Sequence, residues 1–344
     1  MPTLTTRLAA LALLLAASAA GAQDARYFTY ENDGFFGTDR YYTNGLAFTA
    51  RHMADERSAL ARGWADGLCR WFGCEGQRLL YTRNSFGQLM YTPGDISIPT
   101  CQPCDRPYAG LLYLERDYLF LSEDGQTLTT LGAQAGLTGR WSLAEPAQKL
   151  VHRILDRPLP QGWDHQVGNS LAFVLSVERR SAWPALSGAL WGDVRLQTNA
   201  YWRVGLGTLV SYAAGGVVLS VGKDLPAVSP MPPGITHRIS RGNVATSCRW
   251  DWVQCTAFAG VEGRWMGYNL FLQGRPWRSD PQVRPRRWVT DLMTGLRLDF
   301  PRTRGPGHGP WFMQFKVTRR SPEFRSPRPA PRHTVGALTL GTEF

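Results

Sequence analysis

His333-Thr334-Val335-Gly336-Ala337-Leu338-Thr339-Leu340-Gly341-Thr342-Glu343-Phe344 is the last stretch of the sequence. Successive side chains of a strand point to opposite faces. Thr334, Gly336, Leu338, Leu340, Thr342 and Phe344 therefore share one face, and Val335, Ala337, Thr339 and Glu343 the other. The same two-residue period recurs upstream. Leu171, Phe173, Leu175 and Val177 alternate with Ser170, Ala172, Ser176 and Glu178. Leu292, Thr294, Leu296, Leu298 and Phe300 alternate with Met293, Gly295, Arg297 and Asp299. Trp311, Met313, Phe315 and Val317 alternate with Phe312, Gln314 and Lys316. An apolar face backed by a more polar one, strand after strand, predicts a sheet with unlike media on its two sides.

The medium on the apolar side follows from the rest of the chain. Arg7, the apolar run Leu8 to Ala20 and the small-residue site Ala20-Gly21-Ala22 predict a signal peptide over 1–22, with a single domain over 23–344. Beyond residue 22 no apolar run approaches the ~20 residues a membrane helix needs, which excludes a helical membrane protein. It leaves open a barrel, whose alternating strands never look hydrophobic on average. The 36 glycines, 13 tryptophans and 12 tyrosines suit tight turns and interfacial aromatic girdles. In an exported chain, a final amphipathic strand ending in Phe344 is similar to the assembly signal of bacterial outer-membrane barrels.

Strands are predicted at 25–33, 42–51, 83–92, 109–121, 126–138, 170–180, 190–202, 208–222, 252–265, 266–274, 292–300, 311–317 and 333–344. That is an odd number, and a single-chain bacterial barrel needs an even one. Counting forward from a periplasmic N-terminus puts the loops 34–41, 93–108 and 139–167 outside. Counting back from a periplasmic C-terminus puts 275–286 and 319–332 outside too. The two counts clash only between 180 and 275. Joining 252–265 to 266–274 restores agreement. The expected fold class is all-β: a transmembrane antiparallel β-barrel of about 12 strands, with short helices in its loops. Helical spacing appears over 53–72 (Leu60, Trp64, Leu68, Trp71) and over 143–155 (Leu143, Ala147, Leu150, Val151, Ile154). Ser142 and Glu145 have the spacing of a capping box for the second helix.

The six cysteines fall in three local pairs, Cys69/Cys74, Cys101/Cys104 and Cys248/Cys255. In an exported chain they read as loop-stapling disulfides, since no His/Cys set with zinc spacing accompanies them. The net charge of +11 does not point to nucleic acid in an exported protein. An anionic surface such as lipopolysaccharide phosphates fits better, beside the plain reading of solubility.

Three polar clusters share the outer end. Glu31-Asn32-Asp33-Gly34-Phe35-Phe36-Gly37-Thr38-Asp39-Arg40-Tyr41-Tyr42-Thr43-Asn44-Gly45 holds Asn32, Asp33, Asp39, Thr43 and Asn44. Such residues either cap a hairpin turn or hold a hard cation. Asp105-Arg106-Pro107-Tyr108-Ala109-Gly110 opens a strand, and Arg106 has a structural alternative in an ion pair with Asp105. The third cluster is the helix bearing Gln148, Lys149, His152 and Arg153, followed by Pro160-Gln161-Gly162-Trp163-Asp164-His165-Gln166. Gln148 and His152, four apart, share a helix face. Each residue alone has a bland structural explanation; convergence on one end of one barrel raises the functional one.

These clusters are also where the chain resembles the outer-membrane lipid A 3′-O-deacylases, the LpxR family. The resemblance is carried by Asn32-Asp33 with Gly37-Thr38-Asp39 and Tyr42-Thr43-Asn44-Gly45, by Asp105 to Gly110, and by Gln148-Lys149-Leu150-Val151-His152 with Pro160 to Asp164 and Gln166. It runs more weakly through Phe258-Ala259-Gly260-Val261-Glu262-Gly263-Arg264 and the last strand. It implies a twelve-stranded barrel and a Ca2+-dependent esterase removing the 3′-linked acyloxyacyl group of lipid A in the outer leaflet of the outer membrane. It implies His152 as the catalytic base and Asn32 and Asp33 as the metal-site pair. Arg106 matches a substrate-contacting Arg. Lys149, Arg153, Arg157 and Arg106 would face lipid A phosphates. A monomer is expected. No Gly-x-Ser-x-Gly elbow is present, so a water activated by His152 is the nucleophile that fits. The competing readings are a non-catalytic channel or adhesin, and a serine-type outer-membrane phospholipase, for which Ser142 and Ser170 are the serines nearest His152 in sequence.

Overall fold

The computed structural model describes residues 25–53, 67, 69–102, 105–223, 225–228, 253–300, 310–326 and 332–343. The predicted signal peptide, Cys104, Cys248 and Phe344 lie outside them. The strands are β1 (Ala25–Asn32), β2 (Tyr41–Met53), β3 (Arg78–Thr92), β4 (Ala109–Leu121), β5 (Thr127–Thr138), β6 (Leu171–Ala182), β7 (Gly188–Trp191), β8 (Val194–Leu206), β9 (Val210–Gly222), β10 (Gln254–Asn269), β11 (Trp288–Phe300), β12 (Trp311–Arg320) and β13 (His333–Glu343). Each pairs antiparallel with its neighbour in sequence, with one exception. The strand β6 bypasses β7 and pairs directly with β8, from Leu175↔Leu206 to Ala182↔Asn199. The ring closes where β1 meets β13, from Ala25↔Glu343 to Asn32↔Gly336. The barrel therefore has twelve strands, and β7 is a short flap in the turn before β8.

The join made from parity holds: 252–265 and the start of 266–274 are the single strand β10, which ends in the helical turn α2 (Leu270–Gln273). The strand expected at 190–202 is displaced. Gly192, at φ +50°, forms a tight turn after β7, and the barrel strand starts afresh at Val194. Of the helix expected over 53–72, Met53 belongs to β2, residues 67 and 69–72 are helical, and the remainder lies outside the described residues.

The two media assumed from alternation are both present. Leu171, Phe173 and Leu175 of β6, like Leu292 and Leu296 of β11, point outward and are exposed. The inward side chains are polar and buried, as a barrel standing in lipid requires. Arg203 donates to Glu262 at 2.6 Å. Arg320 donates to Asp291 at 2.8 Å, and Arg264 bonds the same carboxylate. Arg83 pairs with Asp117. Pairing matters because an isolated buried charge costs several kcal/mol. At the end carrying the loops after β1, β3 and β5, the lumen is closed by an apolar cluster. Phe271 of α2 stacks on Tyr91 at 4.4 Å, among Tyr42, Leu209 and Val335. At the other end Val228 packs with Tyr81, Leu119 and Leu128. Among the described residues, apolar side chains thus pack across both ends of the lumen.

Cys69 and Cys74 form a disulfide, and Cys255 is disulfide-bonded. Cys101 is free and exposed, which corrects the expected Cys101–Cys104 staple. Hydrogen bonds hold that loop instead. Gly94 N donates to Asp105 Oδ2 at 2.7 Å, and Gln102 Nε2 to the carbonyl of Asp95 at 2.7 Å.

Candidate active site

Strand β1 delivers Asn32 and Asp33 to the barrel rim. Asn32, still extended, caps the 3-10 turn Asp33–Phe36, accepting from Gly34 N through its side-chain oxygen. The turn closes at Gly37, whose φ of +73° favours glycine. Chain reversal then brings the following residues back over Asp33. Its Oδ2 accepts from Thr38 Oγ1 at 2.7 Å and from Arg40 N at 2.8 Å. Its Oδ1 is buried with no hydrogen-bond partner. Burial, with the nearby Asp39 charge adding to it, pushes the Asp33 carboxyl up to about 7, against the two hydrogen bonds that favour the ion.

The third predicted cluster reaches the same place on α1 (Ala144–Ile154). Gln148 and His152 are buried on its barrel-facing side. His152 Nδ1 lies 2.6 Å from the carbonyl of Pro158. A carbonyl can only accept, so Nδ1 carries the proton and Nε2 has the lone pair of the neutral ring. That Nε2 lies 3.3 Å from Asp39 Oδ2. A neutral imidazole and a carboxylate would meet there as two acceptors. The geometry is satisfied by a proton on either group, or by a donor or cation reaching both. Burial also pushes the Asp39 carboxyl up, while His152 and Arg157 pull it down.

The DRPYAG stretch acts as a seat for this helix. The Tyr108 ring packs on Trp163 at 4.9 Å between centroids, and Trp163 Nε1 donates to Gln148 Oε1 at 2.8 Å. Val167 N donates to the Tyr108 carbonyl at 2.9 Å. Gly110 lies directly under Ser142 and Ala144, where an added Cβ would come 2.5 Å from the Ala144 methyl. Gly110→Val is expected to lift the helix from its seat. Amide exchange over 144–154 should accelerate ~10-fold or more, the size of an ordinary overpacking cost; unchanged exchange would show that the seat does not hold the helix.

The expected capping box is absent. The helix is entered from the 3-10 turn Gly139–Ser142 through Leu143 at φ +57°, which has no capping side chain, while Ser142 Oγ accepts from Ala144 N at 3.3 Å. Buried Ser142 donates to the Gly139 carbonyl at 2.6 Å, and Glu145 accepts from Lys149 at 2.5 Å. Ser170 bonds Thr138 Oγ1 at 2.9 Å. Neither serine is bonded to His152.

Lys149 and Arg153 sit on the flank of α1, the first half-buried with Glu145 and the second exposed. Arg106 lies apart, 1% exposed, with its guanidinium 4.3 Å over the Tyr91 ring and 3.4 Å from Glu323. The predicted Asp105 partner instead accepts from backbone N–H groups of Gly94 and Arg106. Arg106 Nε and Nη2 have no hydrogen-bond partner.

Two features lay beyond the sequence assignment of roles. Asp39 appears in the first cluster, yet only folding shows it facing His152. Arg275 is the other. Its guanidinium forks onto Asp280 at 2.8–3.2 Å and donates to the Asn169 carbonyl at 3.0 Å, clamping the end of the loop that carries α1. The only sequence signal was an Arg and an Asp five apart in a polar loop.

Among the described residues no three His, Cys, Asp or Glu form a ready-made metal cage. Ca2+ takes oxygen donors of several kinds, including backbone and amide carbonyls and water. The buried, partnerless Asp33 Oδ1 is such a donor, and the Asn32 amide oxygen, one residue before it, is a second that also accepts from Gly34 N. The residues fit a hard cation.

A family model described as "Outer membrane protein LpxR" matches residues 5–344. Among solved structures, the chain is similar to LpxR from Salmonella typhimurium, with a TM-score of 0.70 and 17% identity over 93% of this chain and 100% of that one. It is less similar to the β domain of the Bordetella autotransporter BrkA, with a TM-score of 0.41 and 11% identity over 95% of this chain and 100% of that one. No curated protein sequence matches.

Proposed function

We propose, from the premise that this chain belongs to the LpxR family of outer-membrane proteins, that it is a lipid A deacylase. In this reading it hydrolyses the 3′-linked acyloxyacyl ester, using a water activated by His152 and a Ca2+ ion. The observation that carries the reading is the His152 side chain. One nitrogen is committed to the Pro158 carbonyl, and the other is held 3.3 Å from Asp39 on the rim that also buries Asp33.

Nε2 of His152 accepts the proton of the attacking water, since Nδ1 is already protonated and fixed. Asp39, 3.3 Å away, stabilises the imidazolium that results. The proton then passes from Nε2 to the leaving alkoxide of the sugar. Asp33, with Asn32, would hold the Ca2+, which when bound supplies Lewis-acid polarisation of the ester carbonyl. Lys149 and Arg153 would meet the lipid A phosphates from the flank of α1. Arg106 is set deeper, with its guanidinium buried over Tyr91 and beside Glu323.

Two further observations support a hydrolase of this kind over its rivals. The apolar clusters across the two ends of the lumen disfavour a channel, and the hydrogen bonds of Ser142 and Ser170 disfavour a serine nucleophile. The test is the purified barrel with detergent-dispersed lipid A. Release of the 3′-acyloxyacyl chain is expected in Ca2+ and should fall by ~100-fold or more in chelator, the loss of several kcal/mol of charge stabilisation. Equal release in both would remove the metal from the account.

A further inference from the structure

The helix α1 is amphipathic in the reverse of the usual sense. Its barrel-facing side carries the polar pair Gln148 and His152, both buried. Its outward side carries Leu143, Leu150 and Ile154, each about half exposed or more, with Val151 and Leu155 beside them also exposed. At 100° per residue, Leu150 and Ile154 project ~160° from His152. A rim helix in water has no reason to leave these five large apolar side chains exposed, and contiguous exposed apolar patches mark a partner surface.

The surroundings name the partner. The helix lies between β5 and β6 in the chain, and the outward side chains of those strands at the same end are Leu137, Leu171 and Phe173, all exposed. The apolar face of α1 thus continues the lipid-facing band of the barrel wall. Trp141, exposed at the entrance to the helix, has the residue type that settles at a bilayer interface. Lys149 and Arg153 follow one another on one flank, between the apolar and buried sides. A strip of apolar residues with basic ones at its edge is the pattern of a helix lying in a membrane interface.

We infer that the outward face of α1 is seated in the acyl-chain layer of the membrane around the barrel, so that the helix is a membrane-dipping wall of the site rather than a water-exposed lid. This rests on the proposed reading only for its purpose: it would set His152 at the depth where an acyl ester meets its sugar.

The test reads depth directly. Nitroxide labels are placed at Ile154→Cys, Arg153→Cys and, as a wall reference, Leu171→Cys. The background carries Cys101→Ser and Cys104→Ser, and the full barrel is reconstituted in phosphatidylcholine vesicles. The expected result is that the Ile154 label collides with dissolved oxygen as readily as the Leu171 label and is shielded at least 5-fold from a soluble nickel chelate relative to the Arg153 label. Equal nickel access at 153 and 154 would overturn the inference by placing the face in water. Shielding of the Ile154 label from both reagents would overturn it by showing a protein contact, such as a second copy. Neither outcome depends on catalysis, so a protein that leaves lipid A intact yet buries the Ile154 label in lipid would sink the deacylase reading and not this one.

Discussion

His152→Ala is expected to lower lipid A deacylation by ~100- to 10,000-fold, the usual contribution of a positioned general base. The barrel should remain folded. His152 sits on a loop helix and takes part in no strand ladder, and its one strong hydrogen bond is to the Pro158 carbonyl of its own loop. Folding is checked by heat-modifiable mobility, and rate by release of the acyloxyacyl chain. Asp39→Asn should cost less, because it removes the charge opposite Nε2 while leaving the base. A His152→Ala protein that still deacylates within a few-fold of wild type would show that proton transfer lies elsewhere.

Asp33→Asn is the second large effect, and it separates activity from stability. Activity should fall by a comparable ~100-fold or more, through loss of the charge proposed to hold the cation. Stability without a cation should move the other way. A carboxyl held at about 7 in the fold, against ~3.9 unfolded, binds its proton more tightly when folded. By linkage, stability then falls as pH rises from ~4 to ~7 and stays low above that. Asn removes this loss. In chelator at pH 8 the variant should therefore unfold at a temperature equal to or above wild type, and Ca2+ should raise the unfolding temperature of wild type but not of the variant. A variant destabilised in chelator at pH 8 would mean that the Asp33 carboxylate serves the fold and not a cation.

The barrel was legible because alternation is a repeated signal. Twelve strands each carry it, so a displaced boundary at one of them does not alter the architecture. Parity even located the joined strand β10. Local chemistry was harder to read. The turn at Gly192, which moved the start of β8, rests on one positive φ. Ser142 has the composition of a cap, yet the chain enters α1 through a left-handed Leu143, a backbone state that side-chain type does not announce. The site was half legible. Asn32, Asp33 and His152 stand in stretches rich in turn and helix signals, whereas the pairing of Asp39 with His152 joins residues 113 apart in sequence and arises only from closure of the barrel. Arg106 shows the converse. The family resemblance matched it to a substrate-contacting Arg and the neighbouring Asp105 offered an ion pair, whereas folding buries it against Tyr91 and Glu323.

Removal of an acyl chain from lipid A by this barrel is read from the mass of lipid A in cells expressing it. With Ca2+ abundant, lipid A should appear lighter by the 3′-linked acyloxyacyl group, and the His152→Ala protein expressed at the same level should leave it at full mass. Lipid A of unchanged mass in cells carrying the folded wild-type barrel in abundant Ca2+ would contradict the account.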